Sequence, residues 1–330
     1  MSDPVQQLSN ELEAELEAAF LDAIEAIAEH VDVPSLIEAA KRGDEDVLAA
    51  YVADRLEPFR VLLTAAFASA GTIAAGRLGL AFDSAEQVAS AARVSAVSSI
   101  MRSIITDTAK AMLQAAFRST FLPAAVVGSV LAAAVPAQGA EKAILVRETI
   151  GLSPAQGASL AVFRAALERA VAQQSQAERR PAFTHEMAIL PELPAHVLRH
   201  LSAPQRSVIE KATRLQLNRE QAEDLVAQQR RILLKVRAGA IGTAGAVTIT
   251  NAGESASWQQ AVSRRDLGPE WRRYWRDRGD ERVRHIHGQV NQQNPNGVEI
   301  DQPFATALGP CYTPPLEAGC RCRVELRRAA

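Results

Sequence analysis

The sequence predicts a mostly α protein, with an elongated multi-helix N-terminal domain and a small loop-rich α+β C-terminal domain. Three observations predict it. Apolar residues make up 48% of the 330 positions and aromatics only 5%, so the core is built largely from alanine. Alanine suits closely packed helices better than a sandwich or barrel. Apolar positions recur at helical spacing over most of the first 237 residues. From Asp280 to Cys322 that period fades and Gly, Pro and Asn rise, yet the stretch holds all three cysteines and two of the six histidines. The expected division is 1–173 as a helical domain, 174–236 as a polar, Pro-rich connection with a long charged helix, and 237–330 as the C-terminal domain.

Ser9 or Asn10 caps the first predicted helix, and Glu11, Glu13 and Glu15 suit its positive end. Leu12, Leu16, Phe20, Ile24 and Ile27 give its buried line, to about His30. Pro34-Ser35 opens a short second helix that Gly43-Asp44 ends. A third pattern runs from Asp46 through Leu56, Phe59, Leu63 and Phe67, where Pro58 predicts a kink or restart. Ala70-Gly71 and Ala74-Ala75-Gly76 are small enough for a neighbouring helix to approach closely. Asp83-Ser84 caps a long helix predicted through Val97, Ile104 and Met112 to Phe117. Phe121-Leu122-Pro123 ends that helix, and Val135-Pro136 interrupts the chain again. Ser153-Pro154 restarts a helix as N-cap and first-turn proline. A flexible connection is expected at 174–194, with His185, His196 and His200 as surface residues. Arg199 to Arg237 reads as a charged helix. Gly239 to Gly245 breaks the pattern, and Val247-Thr248-Ile249-Thr250 fits a strand or a helical turn. All three tryptophans fall within 258–275 and are expected to floor the terminal loops.

Composition narrows the function classes. The formal charge of −2 implies no general attraction to nucleic acid. The last 94 residues carry 13 Lys+Arg against 10 Asp+Glu, too balanced for a polybasic arm. Residues 1–10 lack the basic and apolar regions of a signal peptide. The longest apolar run, Phe121 to Val135, is short of the roughly 20 residues a membrane span needs, so no span is expected. Apolar faces over 88–117 and 121–135 are expected to pack on a partner or on a second copy of the chain.

The landmarks Trp275, Asp280, Glu281, Arg282, Arg284 and His287, then Gln302-Pro303-Phe304, Pro314-Pro315 and Cys320-Arg321-Cys322, come in an order that resembles phage head morphogenesis proteins. These are minor head proteins similar to phage Mu protein F. Arg237-Ala238, Ile241, Asn251-Ala252-Gly253 and Trp258 extend the resemblance upstream, as do Gly151-Leu152-Ser153-Pro154-Ala155-Gln156. About 180 residues are covered. Thr243, Ala244 and Gly245 stand where the family often has Arg-Thr-Glu. The resemblance implies a non-enzymatic structural protein of a virion or gene-transfer particle. It would be made in the host cytoplasm, held in the capsid interior and portal-associated, with scaffold, capsid protein or packaged DNA as secondary partners.

Some members carry a fuller cysteine and histidine set that looks like a zinc site. Here Arg284 and His287 stand at its first two positions. The metal reading uses His287, Cys320 and Cys322, with His285 or Cys311 as fourth ligand, a donor set that suits zinc. The alternative is that His287 is a hydrogen-bonding loop residue and the cysteines are small buried apolar groups. Asp280, Glu281, Arg282 and Arg284 read as a salt-bridged knot. Two rival functions remain. One is a zinc-dependent hydrolase or nuclease built on His285, His287 and the cysteines. The other is a DNA-binding module that uses the arginines between Arg264 and Arg284. Phe304 is expected to anchor the segment against Trp271 or Trp275.

Overall fold

A computed structural model describes residues 3–32, 34–35, 38–39, 42, 45–83, 91–116, 147–178, 201–214, 218–277, 279, 283–315 and 320–329. The protein is mostly α, with a small α+β part near its C-terminus. The helices are α1 (Pro4–His30), α2 (Glu45–Arg55), α3 (Glu57–Arg77), α4 (Ala91–Ala116), α5 (Pro154–Glu178), α6 (Ala203–Arg214), α7 (Arg219–Ser263) and α8 (His285–Gln293). Strands β1 (Trp271–Arg276) and β2 (Arg323–Arg328) pair antiparallel, with Trp275 opposite Val324.

Local sequence explains where helices begin. α2 ends at Arg55 and the chain restarts as α3 with Leu56 as N-cap and Pro58 in the first turn, where a missing N–H costs nothing. Three helices open on a reciprocal N-cap. The Ser153 amide donates to Gln156 Oε1 at 3.1 Å and the Gln156 amide to Ser153 Oγ at 3.3 Å before α5. Ser202 with Gln205 and Asn218 with Gln221 repeat the arrangement before α6 and α7. Each satisfies amides that a helix start leaves orphaned.

The largest departure from the sequence reading is α7. It does not end at Arg237 but runs for 45 residues through Gly239, Gly242, Gly245 and Gly253, taking Val247–Thr250 with it. Two of these glycines allow close approach. A Cβ on Gly242 would sit 2.5 Å from the Glu13 carbonyl of α1, and one on Gly253 2.4 Å from the Phe67 carbonyl of α3. The polar stretch 174–178 likewise continues α5 and is not yet connection. Residues 117–146 and 179–200, with the Phe121–Val135 run, His185, His196 and His200, lie outside the described residues. By length and composition α3 and α7 are each apolar enough to cross a bilayer, with 44% of the apolar stretch in each already buried inside the protein.

Two compact units divide the chain. One combines residues 1–23, 56–103 and 238–330, and the other 24–55 and 104–237. In the second unit, Gly151 sits at φ +82°, a conformation glycine adopts without strain. Its carbonyl accepts from the Arg237 guanidinium at 2.9 Å, and Arg230 reaches the Glu148 and Ile150 carbonyls at 2.9 and 3.3 Å. Gln156 Nε2 donates to the Leu233 carbonyl at 3.0 Å. The first half of α7 thus grips the turn 148–156. Burial pushes Arg237 down to about 10, with Asp107 opposing the shift.

In the first unit, a core cluster joins Trp258, Leu267, Trp275, Val290, Ile300, Phe304, Val324 and the two cysteines of Cys320-Arg321-Cys322. Trp275 meets Phe304 edge to face, with centroids 5.4 Å apart, so Trp275 is the partner that anchors Phe304. One expectation needs correction here. The segment 276–322 contains a helix, α8, whose inward residues are only His287 and Val290. So sparse an apolar line leaves no period to read. Trp258 and Trp275 lie inside the core cluster, and Trp271 packs against it partly buried, with Arg328 5.2 Å above its ring.

Candidate metal centre

The site assembles from three places in the sequence. His287 is the third residue of α8, with its amide bonded to the Arg284 carbonyl at 2.9 Å. That first turn aims its ring inward, and the imidazole is 3% exposed. Cys320 and Cys322 lead into β2, on the same face as Val324, and each is 2% exposed. One ligand atom from each of the three falls within 4.8 Å of the others. His287 Nδ1 lies 3.5 Å from Cys322 Sγ, close to the edge of a tetrahedron with Zn–N and Zn–S bonds of about 2.0–2.3 Å.

The backbone beneath these ligands is held by a buried amide. Asn251 Nδ2 donates to the Cys322 carbonyl at 3.3 Å and to Val247 at 2.8 Å, while its Oδ1 accepts from the Val324 amide at 3.0 Å. The landmark Asn251 of the sequence reading therefore fixes the last cysteine. Cys322 is pushed above the ordinary thiol range, first by its hydrogen bond with Cys320 and then by burial. A cation bound here would replace thiol protons, since the thiolate is the ligand.

The expected fourth ligands are not brought into this trio. His285 is exposed on the first turn of α8. Cys311 bonds the Thr313 carbonyl at 3.2 Å, and burial raises its thiol. Arg284 is exposed at the N-cap of α8. Asp280, Glu281 and Arg282 of the expected salt-bridged knot lie outside the described residues.

Among the described residues, the terminal loops are braced by Arg273. This side chain is 0% exposed. It donates to the Glu299, Tyr312 and Gln302 carbonyls and to Ser255 Oγ of α7, and its guanidinium lies 5.2 Å from the Phe304 ring centre. Burial pushes it down to about 10, with Asp301 opposing. A period-two reading of Trp271-Arg272-Arg273-Tyr274-Trp275 would have found it, since residues 271, 273 and 275 share one strand face. Asn294 adds a second brace, exchanging 2.9 and 3.0 Å bonds with the Ala305 backbone.

On the other face of the β1–β2 ribbon the arginines are paired. Arg272 faces Glu299, Arg276 and Arg327 share Glu325, and Arg323 reaches Asp3. Asp3 also meets Arg77 of α3, and Arg77 lies 3.6 Å from the buried Glu254. Burial pushes Glu254 up to about 8, and Glu325 adds to the shift. Comparison with family models, with curated proteins and with solved structures returns no match to this chain.

Proposed function

We propose that the chain is a non-enzymatic minor head protein of a tailed phage or gene-transfer particle, located in the capsid interior and docked on the portal. Its C-terminal unit is tied together by zinc held on His287, Cys320 and Cys322. The observation that supports this reading is that residues carrying the resemblance have architectural roles. Gly151, Ser153, Gln156 and Arg237 form one junction. Asn251, Trp258, Trp275, Phe304, Cys320 and Cys322 form another. A metal between α8 and the approach to β2 would cross-link a loop-rich segment, as structural zinc does. The burial of all three ligands favours that structural role over turnover.

Co-expression with the portal protein of the same particle tests the docking. A stable complex that enters assembled heads is expected, and heads that form and deliver DNA normally without the chain would overturn it. Native mass spectrometry tests the metal, with one zinc per chain expected and none in the double variant Cys320→Ser/Cys322→Ser. A second reading, the zinc-dependent hydrolase or nuclease, draws support from the three-ligand set, which leaves a coordination position for water. Phosphodiester or peptide cleavage by zinc-loaded protein, lost in His287→Ala, would establish it. The DNA-binding reading is weakened by the pairing of the ribbon arginines. It requires affinity that falls steeply with salt.

A further inference from the structure

We infer that Trp275 is a positioning residue of the metal centre, its indole N–H donating to the Cys322 sulfur when that sulfur is a metal-bound thiolate. The inference rests on the zinc reading above and adds an outer partner to it. Trp275 is 1% exposed, and its Nε1 is buried with no hydrogen-bond partner by ordinary geometric limits. An indole can only donate, and a buried donor without an acceptor is costly. Phenylalanine would fill the same core without that cost, as Phe304 does beside it. The nitrogen therefore calls for a reason.

The strand register supplies one. Trp275 lies opposite Val324, and Cys322 precedes Val324 by two residues. Cys322 is thus the diagonal neighbour of Trp275 on the inward face, a separation a large aromatic side chain spans. Trp275, Cys320 and Cys322 belong to one core cluster. A neutral thiol is a poor acceptor for this N–H, whereas a thiolate holding a cation is a strong one. The donor that is unsatisfied without metal becomes satisfied when the metal binds. Outer partners of this kind orient ligands and tune affinity.

The test uses the full chain, with Zn²⁺ and ¹¹³Cd²⁺ as probes. In the wild type, adding Cd²⁺ should move the Trp275 indole N–H resonance, slow its exchange with solvent and couple the indole proton to the ¹¹³Cd nucleus through the sulfur. Trp275→Phe should bind Zn²⁺ at least about 10-fold more weakly, while its metal-free unfolding midpoint stays the same or rises. If Trp275→Phe fails to fold, the wild-type resonance decides alone. A wild-type indole signal that does not respond while one Cd²⁺ binds per chain would overturn the role of Trp275 and leave the zinc reading standing. A wild-type chain that binds neither cation would overturn both.

Discussion

The two halves of α7 grip neighbouring backbone in opposite ways. In residues 219–237 the helix reaches outward, with Arg230 and Arg237 spanning to carbonyls of the turn 148–156. In residues 238–263 the helix lets backbone come to it. Gly242 and Gly253 admit α1 and α3 to contact distance, and Asn251, a short side chain, bonds the Cys322–Val324 backbone directly. Long cations tolerate separation because their planar forks satisfy several carbonyls at once. Glycine and asparagine require proximity, and they fix it more tightly in return. Cross-braced loops in the first unit have tight local seams, and the fully buried Arg273 is an exception there, a long fork that binds backbone carbonyls at close range.

Breaking that exception should have the largest effect. Arg273→Leu leaves three carbonyls without their donor, at about 1–3 kcal/mol each where they stay dry, so a loss of about 5 kcal/mol is expected. Hydrogen exchange should show protection vanishing over 294–312 while 148–178 keeps its protection. Equal loss in both stretches would mean that Arg273 holds more than its own loops.

Next is Asn251→Ala, which removes the amide bonds to Cys322 and Val324 and should cost about 2–3 kcal/mol. Urea denaturation measures it. The paired control Gln156→Ala should cost less, because its longer side chain bonds one carbonyl of α7 and caps α5 at a half-exposed site.

The third test uses pH. The Glu254 carboxyl sits near 8 in the folded protein and 4.5 when free, so the folded state binds the extra proton between those values. Its contribution is complete below about pH 4.5, declines as pH rises, and is gone above about 8. The full shift sets an upper bound of roughly 5 kcal/mol. The Arg77 guanidinium 3.6 Å away opposes it, so about 2 kcal/mol is expected. Wild type should lose that stability between pH 5 and pH 8, and Glu254→Gln should lose much less over the same interval. Parallel curves for the two proteins would show that Glu254 is ionised throughout.

The smallest effects concern the glycines. Gly253→Ala forces a methyl against the Phe67 carbonyl and should destabilise by about 1–2 kcal/mol, as overpacking does. Gly76→Ala in α3 meets nothing within 4 Å and should stabilise by about 0.5 kcal/mol. Opposite signs at two helical glycines would separate seam from solvent. Two stabilised variants would mean that the α3–α7 approach is loose.

The helices whose starts carry their own chemistry were legible in the sequence. Pro58, Ser153 with Gln156, and the apolar line of α1 each point to an element that forms there. The continuity of α7 was not legible. Glycine weakens an isolated helix by about 1 kcal/mol per position, and only the neighbouring backbones explain why Gly242 and Gly253 stand within it. Strand β1 was hidden because an arginine, Arg273, stands between Trp271 and Trp275 on its inward face, and only a period-two reading of 271–275 marks that arginine as inward. The His287, Cys320 and Cys322 set was named in the sequence from donor chemistry together with the resemblance, while its burial and the approach of His287 to the two cysteines come only from the fold. The exclusion of His285 from it comes from the helical turn that points its neighbour His287 inward.

Asp3 accepts from both Arg77 and Arg323, joining the third residue of the chain to the 323rd. On a ribosome that bond must wait. At about 5–20 residues per second, on the order of 15–60 s separate the synthesis of its two ends. Until Ser263 is made, the face of α1 that receives Gly242 has no complete α7 to cover it, and the first unit cannot close on Asp3 until β2 has been made. A nascent chain stalled after Ser263 would carry α1, α3 and α7 without β2, and protease should find the start of α1 open until β2 emerges.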